Sequence, residues 1–314
     1  MRLPTTKQLQ YFSALAETGH FGRAAERCFV SQSAFSNAIR ELETLLGAQL
    51  VDRTNRRVTI TSIGRQVAIQ ARLCLQDIEQ LVDIAGGQKK PLGGELRLGV
   101  IPTIAPFMLP KVLPRLRRQH RELKLYLIED QTQRLYERLM EGTLDVLLLA
   151  LPFDLKGADV LPLFEDRFAL AYRRGSGRID PDNFRVSQLE SDSVLLLEDG
   201  HCLRDHALEA CKIRNLQKVQ KFSASSLLTL VEMIDADLGV SFLPDMARGS
   251  AMLKNTRVEM HAVSDESVRT IGLAWRKGSA RTEEFEMLGK FFTSNFLPGV
   301  ASKPGGARKK KRKR

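Results

Sequence analysis

The side chains with the most chemistry in this sequence stand close together: His201, Cys202, Arg204, Asp205 and His206 within six residues, then Cys211. A thiolate, not a thiol, is the nucleophile that attacks a peroxide. Cys202 follows Gly200-His201 and precedes Arg204, so the spacing predicts cationic stabilisation of its thiolate, with His201 placed to shuttle a proton. Cys211 comes nine residues later and meets a sulfenic acid on Cys202 only if the backbone between them moves. An exposed, low-pKa cysteine followed by a second thiol is the layout of a redox sensor. Zinc is a competing reading, since Cys202 and His206 stand four apart on one helical face with His201 and Cys211 nearby. Cys211 would fall off that face of an ordinary helix, so the expectation is no metal and no cofactor.

Those residues need a scaffold, and 314 residues give room for two or three domains with cores of their own. Apolar content of 43% and charged content of 27% are those of a soluble globular protein. The longest strongly apolar run, Val146–Leu151, is far too short to span a bilayer, so no membrane partner is expected. Residues 1–6 carry no apolar leader and four cysteines make no disulfide scaffold. Together these predict a cytoplasmic setting where any disulfide is transient. Net charge is +11, but seven positive charges fill the last seven residues, Arg308–Arg314, so the charge of the body does not by itself establish nucleic-acid binding. Residues 301–314 offer nothing large and apolar to pack and are expected to form a disordered basic tail. Where such a tail meets DNA it adds salt-sensitive, sequence-independent affinity.

In the first ninety residues, Leu9, Phe12, Leu15 and Ala16 recur at helical spacing, residues 21–27 suggest a second helix, and Ser31 is a good N-cap for a third. The third helix has an apolar stripe of Phe35, Ala38, Ile39, Leu42, Leu45 and Leu46. On its other faces it offers Gln32, Ser33, Ser36, Asn37 and Arg40, groups able to read base edges in a major groove. A three-helix cap with a solvated face fits the same spacing. Residues 50–61 alternate and carry Arg53, Arg56 and Arg57, as a hairpin wing touching phosphate would. From residue 61 to about 85 the pattern is one long helix, with Val67, Ala71, Leu75, Ile78 and Val82 sharing a face and Gly86-Gly87 ending it. Cys28 and Cys74 read as small buried apolar residues.

After a linker at residues 88–94, strands are expected at 95–101, 123–129, 144–151, 166–172, 193–197, 239–243 and 270–275. Helices are expected at 106–118, 134–141, 227–236 and 282–296. Such alternation predicts α/β layers with mostly parallel sheet. Thr103, Thr132, Ser225 and Ser226 fall at element ends, where each taken alone reads as a cap.

The first part of the chain resembles the DNA-binding domain of the LysR-type transcriptional regulators. The matching residues are Phe21-Gly22-Arg23-Ala24-Ala25, Val30-Ser31-Gln32-Ser33-Ala34-Phe35-Ser36, Ile39-Arg40-Glu41-Leu42-Glu43 and Thr61-Ser62-Ile63-Gly64. Ser33 and Val51 depart from the proline and phenylalanine usual there. Further on, Ile101-Pro102-Thr103, Gln131-Thr132, the run from Leu197 through Asp205, and Arg269-Thr270-Ile271-Gly272-Leu273 resemble the OxyR family, the peroxide-responsive branch of that group. His206 departs from that branch's glutamine.

The resemblance implies an α+β multi-domain chain. It comprises a winged helix-turn-helix at residues 1–60, a linker and dimerisation helix at 61–92, and an effector domain at 93–300. The effector domain is expected to have a periplasmic-binding-protein-like (type II) fold of two α/β subdomains, 93–164 plus 269–300 and 165–268. The crossings are expected near 163–165 and 267–270. By resemblance, Thr103, Thr132, His201, Cys202 and Arg269 surround hydrogen peroxide. Cys202 is then the peroxidatic thiol, Cys211 the resolving one, and Asp205 helps the second proton transfer, while Ser225 and Ser226 line the ligand cleft. Implied partners are double-stranded promoter DNA, RNA polymerase and further copies of the chain in a homotetramer, a dimer of dimers. The expected role is regulation, not enzymatic turnover. The alternative is a LysR-type regulator responding to a small metabolite in the cleft.

Residues 203–210 are rich in good helix formers and hold no glycine or proline. If they are helical when reduced, nine steps of about 1.5 Å put the two Cα atoms roughly 13.5 Å apart along the axis and on opposite faces. A disulfide requires about 4.4–6.8 Å. Oxidation then has to melt or shift this helix and displace Leu203 and Leu208.

Overall fold

The structure is a computed structural model and describes residues 3–54, 57–86, 91–180, 184–186, 189–213, 215–263 and 266–296. The basic tail, Arg56 and part of the expected linker lie outside the described residues.

Local caps set the first three helices. α1 (Thr6–Thr18) begins on a capping box between Thr5 and Gln8, and α2 (Phe21–Arg27) begins on His20, whose Nδ1 accepts from the Gly22 and Arg23 amides. α3 (Gln32–Leu46) begins on Ser31, whose hydroxyl accepts the Ala34 amide at 3.2 Å, as the sequence predicts. Phe12, Leu15, Ala24, Phe35, Ile39 and Leu42 close a small separate core. β1 (Val51–Thr54) and β2 (Arg57–Ile60) pair antiparallel as the wing. α4 (Ser62–Gly86) leaves the wing at Gly64, where any Cβ would collide with the Leu50 carbonyl oxygen and lie 2.8 Å from Ile60 Cγ2. Cys28 and Cys74 are half-buried, not buried as expected: Cys28 sits at the C-terminal cap of α2 and Cys74 out along α4.

The regulatory part continues with β3 (Glu95–Val100), α5 (Ala105–Gln119), β4 (Lys124–Glu129), α6 (Thr132–Met140) and β5 (Val146–Leu151). β6 (Ala158–Arg173), α7 (Cys202–Ala210), α8 (Leu227–Asp235), β7 (Ser241–Pro244) and α9 (Ala251–Lys254) follow. Last come β8 (Val258–Ala262), β9 (Val268–Arg276) and α10 (Thr282–Phe296). The strand order is β4-β3-β5-β9-β6-β7, with β8 also on β6. The expectation of a mostly parallel sheet is overturned: β3 runs parallel to β4 and β5, but β9 is antiparallel to β5 and β6, and β7 and β8 are antiparallel to β6. The reason is that β6 and β9 are long strands zipped together from Ala158↔Arg276 to Arg167↔Val268, running through both halves of the regulatory part.

Sequence reading starts β6 at residue 166 because buried positions begin only there, at Asp166 and then, past the exposed Arg167, over 168–172; residues 158–165 are half-covered or exposed. Residues 193–197 form no strand either. Val194 bridges Val219 and Val240, and Leu197 bridges Ala224, so their backbone finds scattered partners instead of one ladder.

One lobe gathers β3, β4, β5, α5 and α6, with α10 packed on α5; the other gathers α7, α8, α9, β7 and β8. α4 docks on the first lobe, where Arg72 and Gln76 donate to the Glu141 and Gly142 carbonyls and Arg276 donates to Gln76.

Gly64→Ala is expected to lower the stability of the DNA-binding domain by about 1–3 kcal/mol, because its Cβ meets backbone and has no room to relax. Urea unfolding followed by circular dichroism reads this.

Candidate functional site

The site is built around a guanidinium. Arg269 lies opposite Asp166 in the register of β9 on β6, and both side chains are buried. Arg269 Nε donates to Asp166 Oδ2 at 3.0 Å, Nη1 donates to Thr103 Oγ1 at 2.9 Å, and Nη2 donates to the Thr103 carbonyl at 3.0 Å. The Met246 amide donates to Asp166 Oδ1 at 3.1 Å. Burial pushes the Asp166 carboxyl up, and Arg269 and the Met246 amide pull it back. Thr103 is therefore a holder of Arg269 rather than a helix cap.

Cys202 is the first residue of α7, and His201 is the N-cap, although its side chain makes no capping bond. The loop before it turns at Gly200, whose φ of +96° favours glycine, and a Cβ there would also push aside the Gln131 amide 2.7 Å away. Gln131, not Thr132 as expected, is the N-cap of α6. Thr132 is the first helical residue, with a buried hydroxyl that, among the described residues, makes no formed hydrogen bond. That hydroxyl lies near enough to the Cys202 sulfur to favour its thiolate.

The expectation of an exposed, readily ionised Cys202 is not met. Burial pushes this thiol up, against the pull of Thr132, Arg269 and its own amide, and Asp205 adds to the push. Nor does Arg204 supply the cation: it pairs with Asp199 at 3.2 Å and donates to the Leu197 carbonyl. Arg269, distant in sequence, is the cation felt at the sulfur. His201 is buried and Asp205 exposed.

Cys211 caps the other end of α7 and is buried, with its thiol pushed up to about 12 by burial against the pull of the Ser267 hydroxyl. Ser267 Oγ in turn donates to the Ala210 carbonyl at 3.0 Å, pinning this end of α7 beside the start of β9. Residues 203–210 are helical, so the two cysteines stand about 13.5 Å apart along the axis. Among the described residues no group of three or more His, Cys, Asp or Glu side chains could hold a metal ion, and no helix is long and apolar enough to cross a membrane. Ser226 caps α8 by accepting the Thr229 amide at 3.2 Å, and Ser225 beside it is exposed.

In the helix-turn-helix, Gln32, Ser33, Asn37 and Arg40 are exposed on α3 and Ser36 is half-buried. Arg53 and Arg57 lie on β1 and β2, with side chains outside the described set.

Sequence reasoning passed over Asp166, Met246, Ser267 and the partner of His206. Asp166 opens the buried run to Tyr172 as a lone carboxylate, a local signal that a charged partner is needed, but nothing local names Arg269.

A winged helix-turn-helix joined by a long helix to a two-lobed α/β domain is the architecture of a DNA-binding regulator with its own sensory part. Residues 6–65 match the bacterial regulatory helix-turn-helix protein, lysR family, and residues 89–296 match the LysR substrate binding domain. The HTH-type transcriptional regulator EstR of Acinetobacter baylyi is 40% identical over 91% of this chain and 95% of its own length. The hydrogen peroxide-inducible genes activator of Dickeya chrysanthemi is 36% identical over 90% and 92%. Among solved structures, a full-length OxyR variant from Pseudomonas aeruginosa superposes with a TM-score of 0.80 at 32% identity, covering 93% of this chain and 95% of that one. The chain belongs to the LysR-type transcriptional regulators and, among them, to the OxyR family.

Asp166→Ala strands a buried Arg269 and is expected to destabilise the regulatory domain by about 3–5 kcal/mol, measured by urea unfolding. Cys211 ionises near 9.0 when unfolded and about 12 when folded, so the stability that it contributes is complete below pH 9.0 and lost as pH rises toward 12. Wild type and Cys211→Ser should diverge in midpoint denaturant only over that window.

Proposed function

We propose that this chain senses hydrogen peroxide by oxidation of Cys202, closes a Cys202–Cys211 disulfide, and so changes transcription at promoter DNA. The observation that carries the reading is the seating of Cys202 at the first turn of α7, near Thr132 and within the field of Arg269, with Cys211 at the far end of the same helix. The peroxide-named relatives support it. Cys202 gives up its proton, and the thiolate attacks one peroxide oxygen. The O–O bond breaks, and the departing hydroxide takes a proton to leave as water. The Cys211 thiol then displaces the hydroxyl of the sulfenic acid, releasing a second water and forming the disulfide.

Arg269 favours the thiolate electrostatically. Thr103 Oγ1 accepts from Arg269 and so keeps its own proton to donate, and Thr132 brings an uncommitted hydroxyl; such groups can both donate to and accept from a peroxide. His201 and Asp205 serve the proton transfers.

On the DNA side, Gln32, Ser33, Ser36, Asn37 and Arg40 read base edges, and Arg53, Arg56 and Arg57 hold phosphates. Residues 1–60 form the DNA-binding unit, 61–92 the linker, and 93–164 with 269–300 and 165–268 the two subdomains. Ile78, Leu81 and Val82, exposed on the second half of α4, pair two chains, and two such pairs make the tetramer. RNA polymerase is the downstream partner and the cytoplasm the setting. Ser225 and Ser226 line the cleft. A metabolite-responsive regulator is the second reading, to which the EstR likeness is equally open.

Mass-spectrometric mapping after stoichiometric peroxide is expected to find Cys202 joined to Cys211. Cys202→Ser is expected to abolish the peroxide response while keeping basal DNA binding; a variant that still responds to low peroxide refutes the assignment. Amide exchange across Cys202–Cys211 should quicken on oxidation, and unchanged protection with a verified disulfide rules out refolding of α7.

A further inference from the structure

We infer that His206 is the latch that fastens α7 to the opposite lobe in the reduced protein, and that it sets how readily the disulfide closes once Cys202 is oxidised. His206 lies one helical turn after Cys202, and its Nε2 stands 3.0 Å from the carbonyl oxygen of Pro152. Pro152 directly follows β5 in the first lobe, whereas α7 belongs to the second. A carbonyl oxygen only accepts, so Nε2 carries the proton and Nδ1 is left a lone pair. Among the described residues that Nδ1 is buried without a partner. Burial first, then Arg269, holds the imidazole below its usual range, against the Pro152 carbonyl, Asp205 and Glu209, which favour the charged ring. The neutral tautomer therefore persists.

The other side-chain fastenings of α7 behave differently. Arg204 bonds within the adjoining loop, to Leu197 and Asp199, and Ser267 holds only the Cys211 end. The bond to Pro152 grips the middle of the helix, the segment that has to come apart before the two sulfurs can meet. It is a latch of limited strength: one neutral hydrogen bond secures the docked helix, while the unpartnered Nδ1 costs the docked form and regains water when the helix opens. This rests on the peroxide reading above and assigns His206 to the second step, not the first. Sulfenic acid forms at Cys202 with α7 in place, and the attack of the Cys211 thiol waits on release of the latch.

The test compares His206→Ala, which removes the donor, with His206→Gln, whose amide N–H has similar reach. Sulfenic acid formation is followed by dimedone trapping in a Cys211→Ser background, and disulfide closure by quenched-flow alkylation in the full chain. The latch predicts closure about three- to tenfold faster in His206→Ala, from loss of one net hydrogen bond. It also predicts a rate near wild type in His206→Gln and unchanged sulfenic acid formation in both. A role confined to overall stability would lower Tm and leave the ratio of the two steps unmoved. Equal closure rates in all three proteins, or slower closure in His206→Ala, overturn the latch. If wild-type Cys202 forms no sulfenic acid, the peroxide reading fails instead. The latch is then judged on reduced protein alone: faster amide exchange across Cys202–Ala210 in His206→Ala, restored in His206→Gln, upholds it, and unchanged exchange overturns it.

Discussion

The site depends on one buried ion pair. Arg269 and Asp166 face each other across the two strands that run through both lobes, with the charged ends almost wholly removed from water. Two charges in such a place are tolerable only when each is also hydrogen-bonded, and both are: Asp166 by the Met246 amide, Arg269 by the hydroxyl and carbonyl of Thr103. The guanidinium is thus fixed in position before any oxidant arrives. Its field reaches Cys202, but burial outweighs that attraction at the resting sulfur, and Asp205 adds to the upward push.

A sensor of this design separates detection from response. Detection needs a rigid environment, and Arg269, Thr103 and Thr132 are held on or beside a long strand and helix starts. Response needs an element that can be lost, and α7 suits this. It is nine residues long, and its side chains are tied outward by a few hydrogen bonds beyond the packing of Leu203, His206 and Ala207. Short helices owe their stability to tertiary contact more than to propensity, so an element of this size can melt without taking the domain with it.

The same strands also reach the helix that carries the DNA-binding domain. β9 begins at the site with Arg269 and ends with Arg276, which bonds Gln76 on α4 and the carbonyls of Leu139 and Leu144. α4 springs from the wing at Gly64. A shift between lobes at one end of β9 therefore has a physical route to the helix that carries the DNA-binding domain.

The sequence by itself determined what is local. Ser31 as a cap, the wing hairpin, the length of α4 and the helicity of 203–210 each follow from periodicity and capping within a few residues, and the structure has them; of the α3 stripe it buries Phe35, Ile39 and Leu42 but leaves Leu46 exposed. The motif runs around Thr103, Thr132, Cys202 and Arg269, far apart in sequence, are brought together in the structure. Only the tertiary structure decided what acts on what. It replaced Arg204 with Arg269 as the cation at Cys202, raised the thiol by burial where the sequence suggested exposure, and made Thr103 a guanidinium holder. It also paired Asp166 with a residue on another strand and set His206 against Pro152. The physical reason is common to all of these. Local conformation is governed by torsions and bonds between near neighbours, whereas desolvation and charge pairing depend on which distant segments are folded against a residue, and the sheet register brings those segments together only in the finished fold.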